Sequence, residues 1–177
     1  MNHRFLLTVG LVFGMVAGAV AQEARGLQAD LVGQIKSAER KFLALAETMT
    51  QEQYNWRPME GVRSVGEVYV HIAVSNIAFL EMVGIQTSMK VDWGMEKTVT
   101  DKAEIVEMLK KTFQIAKDAV AKVSNKDLDK TVKIFGSDGA LRSGLVLLAT
   151  HAHEHLGQSI AYARTNKVVP PWSEGGM

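Results

Sequence analysis

The sequence predicts an all-α protein that folds as a four-helix bundle and follows an N-terminal signal peptide. Apolar residues recur three or four positions apart in four long segments, and each segment is expected to form an amphipathic helix. The prolines of the chain, Pro58, Pro170 and Pro171, lie outside these segments, so none interrupts a predicted helix. Four helices of about 20 residues, each roughly 30 Å long, suit one bundle.

Residues 1–21 carry the features of a secretory signal peptide. Arg4 precedes an apolar run over residues 5–17, and Ala19-Val20-Ala21 supplies the small residues that signal peptidase accepts. The alternative is an uncleaved membrane anchor, but the run is short for a membrane span and is interrupted by glycine. We expect cleavage after Ala21, a mature domain over residues 22–177, and a periplasmic or secreted location.

Composition excludes several kinds of partner and chemistry. The chain has 177 residues with 20 basic and 19 acidic side chains, a net charge of +1 that falls to zero if Arg4 leaves with the signal peptide. Such a neutral balance lacks the positive charge that nucleic acid or an anionic membrane attracts, so we expect neither partner after cleavage and a small-molecule substrate instead. The absence of cysteine excludes a disulfide, a protein thiol nucleophile and lipoprotein attachment.

The periodicity sets the expected bounds of the four helices at about 27–49, 65–85, 102–123 and 143–166. Ser64 followed by Glu67 is typical of a capping box at the start of the second helix, and Thr100 or Asp101 is expected to cap the third. The segments GIQTSMKVDWGMEK and TQEQYNWRPMEGVR, between the first three helices, are expected to be irregular.

The connection before the fourth helix leaves one alternative open. TVKIF can form a short strand with a turn at GSDG, which would make a small hairpin, or the whole segment can be a loop. The connections after the first and third helices are longer than a tight turn requires. At least one of them is therefore expected to cross the end of the bundle.

Three of the five histidines fall within the segment THAHEHLGQ, residues 150–158. His151 and His155 are four positions apart, so on a helix they lie on one face and can direct their nitrogens to one ion. His153 is two positions from each, which directs it to roughly the opposite side, towards solvent or behind the pair. His71 lies on the inward face of the second helix and is the candidate third ligand.

Three neutral imidazoles from two helices would bind Zn²⁺, Ni²⁺ or a similar divalent ion and leave a coordination position open. Two plainer interpretations exist. A single buried histidine is usually satisfied by hydrogen bonds, and a His-x-x-x-His pair recurs by chance. His3 would leave with the signal peptide. The combination favours a metal site at His71, His151 and His155, because it accounts for every remaining histidine except His153.

Several polar residues are candidates for roles around these histidines. We assign Glu154 and Gln158 as the candidate catalytic residues, Glu154 for acid–base chemistry and Gln158 for orienting a ligand or hydrogen bonding a histidine. Glu67 lies one turn before His71 and is a further acid–base candidate, although the capping box is its more ordinary role. Tyr162 continues the face of His155 and Gln158, and both it and Gln158 can alternatively only close the core. Arg164 and Trp172 are candidates for shaping the mouth of a pocket, and their plainer interpretations are a surface arginine and a packing tryptophan.

Two blocks of sequence resemble the signatures of the DinB-like, YfiT-like family of metalloenzymes, which is unrelated to the DNA polymerase of similar name. The first is NWRPMEGVRSVGEVYVHIAVSN (55–76), with a Trp-x-Pro step, a helix-starting serine and then a histidine. The second is HAHEHLGQSIAYARTNKVVPPWS (151–173), with His-x-x-x-His, Gly-Gln, Tyr-x-Arg and Pro-Pro. Together the blocks and their spacing cover essentially the whole expected mature domain.

The resemblance implies a four-helix bundle, frequently a homodimer, with a divalent metal held by His71, His151 and His155. Relatives in this family include thiol-dependent S-transferases, an isomerase and hydrolase-like proteins. Because low-molecular-weight thiols act in the cytoplasm and this chain is expected to be exported, we expect a metal-dependent enzyme with a hydrolase-like or unassigned reaction. The alternatives are a thiol-dependent S-transferase and a non-catalytic metal- or ligand-binding bundle.

Overall fold

The computed structural model describes residues 26–173, so the predicted signal peptide over residues 1–21 lies outside the described residues. The elements are, in chain order, α1 (Leu27–Thr48), α2 (Gln51–Tyr54), α3 (Val65–Met82), α4 (Met95–Thr98), α5 (Lys102–Lys122), β1 (Thr131–Ile134), β2 (Ser137–Ala140) and α6 (Leu141–Thr165), with 3₁₀ turns at Asn125–Asp127 and Pro171–Ser173. The protein is mostly helical, and the four long helices α1, α3, α5 and α6 correspond to the four predicted from periodicity.

The four long helices pack in an order that differs from their order along the chain. Helix α1 packs against α5 and α6, and α3 packs against the same two helices. The first and second long helices are therefore diagonal to each other, as are the third and fourth. The connections from α1 to α3 and from α5 to α6 both cross the bundle, which confirms the expectation of at least one crossing.

Helix α3 forms the centre of the core. Its residues are buried on nearly every face, as expected of a helix that is apolar all round. The helix is long and apolar enough to span a membrane, but 78% of it is buried inside the bundle, so the core accounts for its composition. Tyr69 of α3 contacts the rings of Phe42 and Tyr54 with centroids 6.1 and 5.4 Å away, and this aromatic cluster joins α3 to α1 and α2.

The helix starts follow the capping predictions. The Ser64 hydroxyl accepts from the backbone N–H of Glu67, while the Glu67 carboxylate accepts from the backbone N–H of Ser64, which completes the predicted capping box. Asp101, and not Thr100, caps α5 by accepting from the backbone N–H of Glu104. The Ser64 cap fixes the residue at which α3 begins, and therefore the position of His71 along that helix.

Two connections expected to be irregular contain short helices. Helix α2 begins at a capping box of Thr50 and Gln53, and α4 lies in the segment between α3 and α5. Helix α4 packs against α3. The expectation of an irregular segment was therefore wrong at these two places, because single helical turns are too short to show a periodic apolar stripe.

The hairpin left open by the sequence is present, but its turn overlaps the predicted GSDG turn only at Gly136. Strands β1 and β2 pair antiparallel with Ile134 opposite Ser137, so the turn is Phe135-Gly136 and the residues 137–139 belong to the second strand. Both turn residues have positive φ, 48° for Phe135 and 85° for Gly136. Such a two-residue turn favours asparagine or glycine at both positions, and a phenylalanine there gives no turn signal in the sequence.

Candidate metal centre

The structure brings together the three histidines selected from the sequence. His71 lies on α3, His151 and His155 lie on α6, and one ring nitrogen of each falls within 4.8 Å of the others. The Nε2 atoms of His71 and His151 are 3.3 Å apart although 80 residues separate them in the chain. The ring centroids of His151 and His155 are 4.6 Å apart, as expected for imidazoles one helical turn apart.

The cluster lies where α3 and α6 pack side by side. His71 is 8% exposed because it shares the inward face of α3 with the core residues Val68 and Ile72. Phe79, two turns further along α3, contacts the His151 ring edge to face with centroids 4.9 Å apart. The Trp93 ring covers His71 from the α3–α5 connection, at a centroid distance of 5.5 Å. Apolar neighbours on both sides thus limit the access of water to the imidazoles.

Glu96 of α4 orients the His71 ring. Its Oε1 lies 2.8 Å from Nδ1 of His71. The same carboxylate accepts two hydrogen bonds from Arg63, at 2.6 Å from Nε and 3.2 Å from Nη2. These donors lower the pKa of Glu96 although its burial acts in the opposite direction, so the carboxylate is ionised and can only accept. The hydrogen therefore resides on Nδ1 of His71, and the Nε2 lone pair faces His151.

Gln158 orients the His155 ring in a comparable way. Its Oε1 lies 2.7 Å from Nδ1 of His155, and its Nε2 donates to the Tyr162 hydroxyl at 2.9 Å. Tyr162 is held in turn by the Trp56 ring, edge to face at 5.3 Å. Because the amide nitrogen is committed to Tyr162, the amide oxygen accepts from Nδ1 and leaves the Nε2 lone pair of His155 free. Gln158 thus hydrogen bonds a histidine, one of the alternatives the sequence left open, and Tyr162 supports it through the Gln158 amide.

The surroundings favour the neutral forms of His71 and His151. Burial lowers the pKa of His71 more than the hydrogen bond to Glu96 raises it. The pKa of His151 falls to about 4, first because of burial and then because of the charges that His155, His71 and Arg63 would carry. Neutral imidazoles are the forms that bind metal ions, and at neutral pH these two need lose no proton to do so.

The geometry fits a divalent transition ion. Two nitrogens bound to a tetrahedral ion at about 2.0–2.1 Å lie about 3.3 Å apart, which is the observed separation of the His71 and His151 Nε2 atoms. Two of the three rings have Nδ1 fixed by an acceptor, an arrangement that directs Nε2 lone pairs to one point. Three nitrogen donors on two rigid helices could hold such an ion and leave part of its coordination sphere to a substrate or water.

The other candidate residues lie away from the ring nitrogens. Glu154 is exposed on α6, and its acid–base role stays a prediction. Glu67 closes the capping box and pairs with Arg57 and Lys97, so its ordinary role is the observed one. His153 does not face open solvent: it is half-buried, with its Nε2 3.2 Å from the Gln34 carbonyl oxygen of α1.

The two residues considered for a pocket mouth have plainer positions. Arg164 is exposed near the end of α6. Trp172 packs against the core, with Nζ of Lys41 5.9 Å from the centre of its ring. Both positions agree with the plainer interpretation, a surface arginine and a packing tryptophan.

Sequence reasoning missed three residues that surround the cluster: Arg63, Trp93 and Glu96. All three lie in connections that have no periodic pattern. Trp93 and Glu96 contact His71 because the α3–α5 connection folds back onto α3, and Arg63 acts on His71 through Glu96. The sequence offered one indication of Glu96, and it was chemical. A buried metal-binding histidine usually has a carboxylate or carbonyl hydrogen bonded to its second nitrogen, so an acidic residue in a neighbouring loop is expected beside it.

The fold and the histidine cluster together define a helical bundle with a three-histidine site between two of its helices. The sequence model of the DinB superfamily matches residues 34–159, and the chain belongs to this superfamily. The resemblance found in the two sequence blocks is thereby confirmed. A comparison with curated protein sequences finds no match.

Solved structures with the same fold include three from Bacillus species. A DinB-like protein from Bacillus cereus is 19% identical with a TM-score of 0.71, over 80% of this chain and 93% of its own. The DinB-like protein YjoA of Bacillus subtilis is 20% identical with a TM-score of 0.64, over 79% of this chain and 93% of its own. YfiT of Bacillus subtilis is 17% identical with a TM-score of 0.63, over 84% of this chain and 94% of its own. It is described as a probable metal-dependent hydrolase with an unusual four-helix bundle topology.

Proposed function

We propose that the protein is an exported metal-dependent enzyme that acts on a small molecule, with one divalent transition ion, Zn²⁺ or Ni²⁺, held by His71, His151 and His155. The observation that carries the proposal is the convergence of three imidazoles, two of them oriented by hydrogen bonds, with the Nε2 atoms of His71 and His151 3.3 Å apart. We propose a hydrolytic reaction, which the description of YfiT as a probable metal-dependent hydrolase supports by analogy.

In this proposal the chain contributes orientation and proton transfer. An ion at the cluster would supply Lewis acidity and lower the pKa of water to about 7. Glu96 and Gln158 act as positioning residues, because each fixes the Nδ1 side of a histidine and so aims its Nε2. Glu154, next to His155 and open to solvent, is the candidate for exchanging protons with the substrate.

Elemental analysis of the purified protein tests the metal centre. We expect one transition ion per chain, and we expect added Zn²⁺ or Ni²⁺ to raise the melting temperature of metal-depleted protein. His151→Ala should abolish binding, whereas His153→Ala, two positions along the same helix, should retain it. Circular dichroism should report a helical bundle in both variants. A protein with no bound ion and no thermal response to added metal would refute the site.

Activity assays separate the proposed reaction from its alternatives. Metal-loaded protein should hydrolyse a member of an ester or amide panel, and Glu154→Gln should reduce kcat without changing metal content. Turnover only in the presence of an added thiol and an electrophile would replace the hydrolase with an S-transferase. No turnover on any panel, together with unfolding of the metal-free protein, would identify a structural ion in a non-catalytic bundle.

We also propose a homodimer, as the family resemblance implies, and both the export and the dimer are tested on the purified protein. Amino-terminal sequencing of the protein recovered from the periplasm or the medium should begin at Gln22. Size-exclusion chromatography with light scattering should give twice the mass of the mature chain. Recovery of the intact chain from the cytoplasm would contradict export, and a single-chain mass would contradict the dimer.

A further inference from the structure

A cavity of about 540 Å³ opens beside the histidine cluster. Two of its lining residues, Glu96 and Gln158, are the ones that hydrogen bond His71 and His155. The cavity therefore adjoins the residues that orient two of the histidines, and its volume lies within the range of small-molecule sites. What lines the rest of it determines which molecules it can hold.

Positive charge dominates the cavity wall. Arg57, Arg63 and Lys97 all line it. Two carboxylates face these three cations, Glu67 beside Arg57 and Lys97, and Glu96 beside Arg63. The three cations and two carboxylates leave this group with a formal net charge of +1, in a protein whose overall charge is close to zero.

Each carboxylate already accepts three or more hydrogen bonds, whereas Arg63 and Lys97 have donors left over. Glu96 accepts two hydrogen bonds from Arg63 and one from His71, and Glu67 accepts from Arg57, Lys97 and its own cap. Among the described residues, Arg63 uses Nε and Nη2 only, so both hydrogens of its Nη1 remain available. Lys97 uses one of the three hydrogens on its Nζ, and its side chain is 68% exposed.

We propose that Arg63 and Lys97 form a subsite for an anionic group of the substrate, a carboxylate or a phosphate, next to the reacting centre. This inference rests on the proposed function for the identity of that centre. Glu96 joins the two sites, since one carboxylate accepts from both Arg63 and His71. A small molecule could then place its anionic group on Arg63 and Lys97 and a reactive group a few bonds away at the histidines. Charge-assisted bonds to a guanidinium favour such groups over neutral ones.

The test measures binding of inorganic phosphate and of acetate to the full-length protein, before and after removal of metal with a chelator. Phosphate and acetate serve as probes for the two anionic groups. The key variant is Arg63→Met/Lys97→Met. Its matched control is Arg142→Met/Lys110→Met, which removes an arginine and a lysine that also pair with carboxylates but lie outside this cavity.

We expect at least one probe to bind the chelator-treated protein, with the key variant weakening it about tenfold and the control leaving it unchanged. The conservative Arg63→Lys should retain part of the affinity. Binding that persists undiminished in the key variant, or that occurs only with metal present, would overturn the subsite by assigning the anion elsewhere or to the ion. Lys97→Met alone provides the same comparison if the double variant does not fold. Metal content, measured separately, tells failure of the subsite from failure of the metal centre.

Discussion

The Glu96 carboxylate accepts a hydrogen bond from Nδ1 of His71 across 2.8 Å, and this contact fixes which nitrogen of His71 faces the other two histidines. Glu96 comes from a single helical turn in a loop, 25 residues from its partner. A residue of this kind makes no contact with an ion, yet it determines how well the imidazole is presented to one.

Removing this contact should weaken metal binding. We expect Glu96→Ala to lower the affinity for Zn²⁺ by about 10- to 100-fold, and Glu96→Gln by less, because the amide oxygen can still accept from Nδ1. Competition with a chromogenic chelator measures the change. Glu67→Gln is the matched control, since Glu67 has similar cationic partners but does not touch His71. Equal affinities in Glu96→Ala and the unmodified protein would contradict the orienting role.

Trp93 should report binding of an ion through its fluorescence. Its ring centroid is 5.5 Å from that of His71, and the ring is half exposed. We expect Cu²⁺ or Ni²⁺ to quench the emission in proportion to occupancy, and Zn²⁺ to quench it far less. Trp93→Phe should remove most of the quenching, whereas Trp172→Phe should keep it, because Trp172 packs near Lys41 on α1. Quenching that survives Trp93→Phe would place the ion elsewhere.

The stability of the protein should depend on pH through Glu67. Burial acts to raise its pKa, but hydrogen bonds from Lys97, Ser64 and Arg57 outweigh burial and lower the pKa from 4.5 to about 2. The folded state therefore gains stability from the ionised carboxylate at pH values above about 4.5, and this gain is lost as the pH falls from there towards 2.

Glu67→Gln isolates this contribution, because glutamine can still close the capping box while it loses the two ion pairs. We expect it to lower the free energy of unfolding by about 1–2 kcal/mol at pH 7, a modest value because Arg57 and Lys97 are solvent-exposed and screened. Denaturant unfolding at pH 7 and at pH 3 measures the difference, which should shrink at pH 3. A difference that grows on acidification would contradict the assignment.

Two glycines of α6 should respond in opposite ways to alanine. A Cβ on Gly144 would lie 2.4 Å from Cγ1 of Val83, a stiff β-branched side chain in the core, so Gly144→Ala should destabilise the protein by about 1–3 kcal/mol. A Cβ on Gly157 would meet nothing within 4 Å, so Gly157→Ala should stabilise by about 0.5–1 kcal/mol. Thermal melts of the pair check both signs, and a stabilised Gly144→Ala would show that Val83 can move aside.

The histidine positions could be predicted from sequence because they depend on helical geometry. The spacing of His151 and His155 determines that they share a face, and the apolar neighbours of His71 determine that it points inward. The residues that orient them behave differently. Gln158 lies on the same helix, three positions from His155, and was within reach of the same reasoning, whereas Glu96 contacts His71 only through the tertiary path of a loop.

The diagonal arrangement of the helices was only partly predictable. Long connections indicated a crossing, but amphipathic stripes specify which face of a helix is buried and not which neighbour buries it. The turn of the hairpin shows a related limit. Phe135 occupies a backbone conformation that its residue type disfavours, so a rule based on glycine-rich segments found Gly136 but missed the other turn residue.

The pairing of α3 with α6 has a consequence for how metal affinity should be interpreted. In an unfolded chain only the histidines of residues 151–155 lie close together, because His71 is 80 residues away until α6 docks beside α3. Any ion held by all three histidines would thus form a reversible cross-link between α3 and α6. Substitutions that weaken the α3–α6 interface far from the histidines should therefore lower metal affinity. Metal titration would then measure the local stability of this interface.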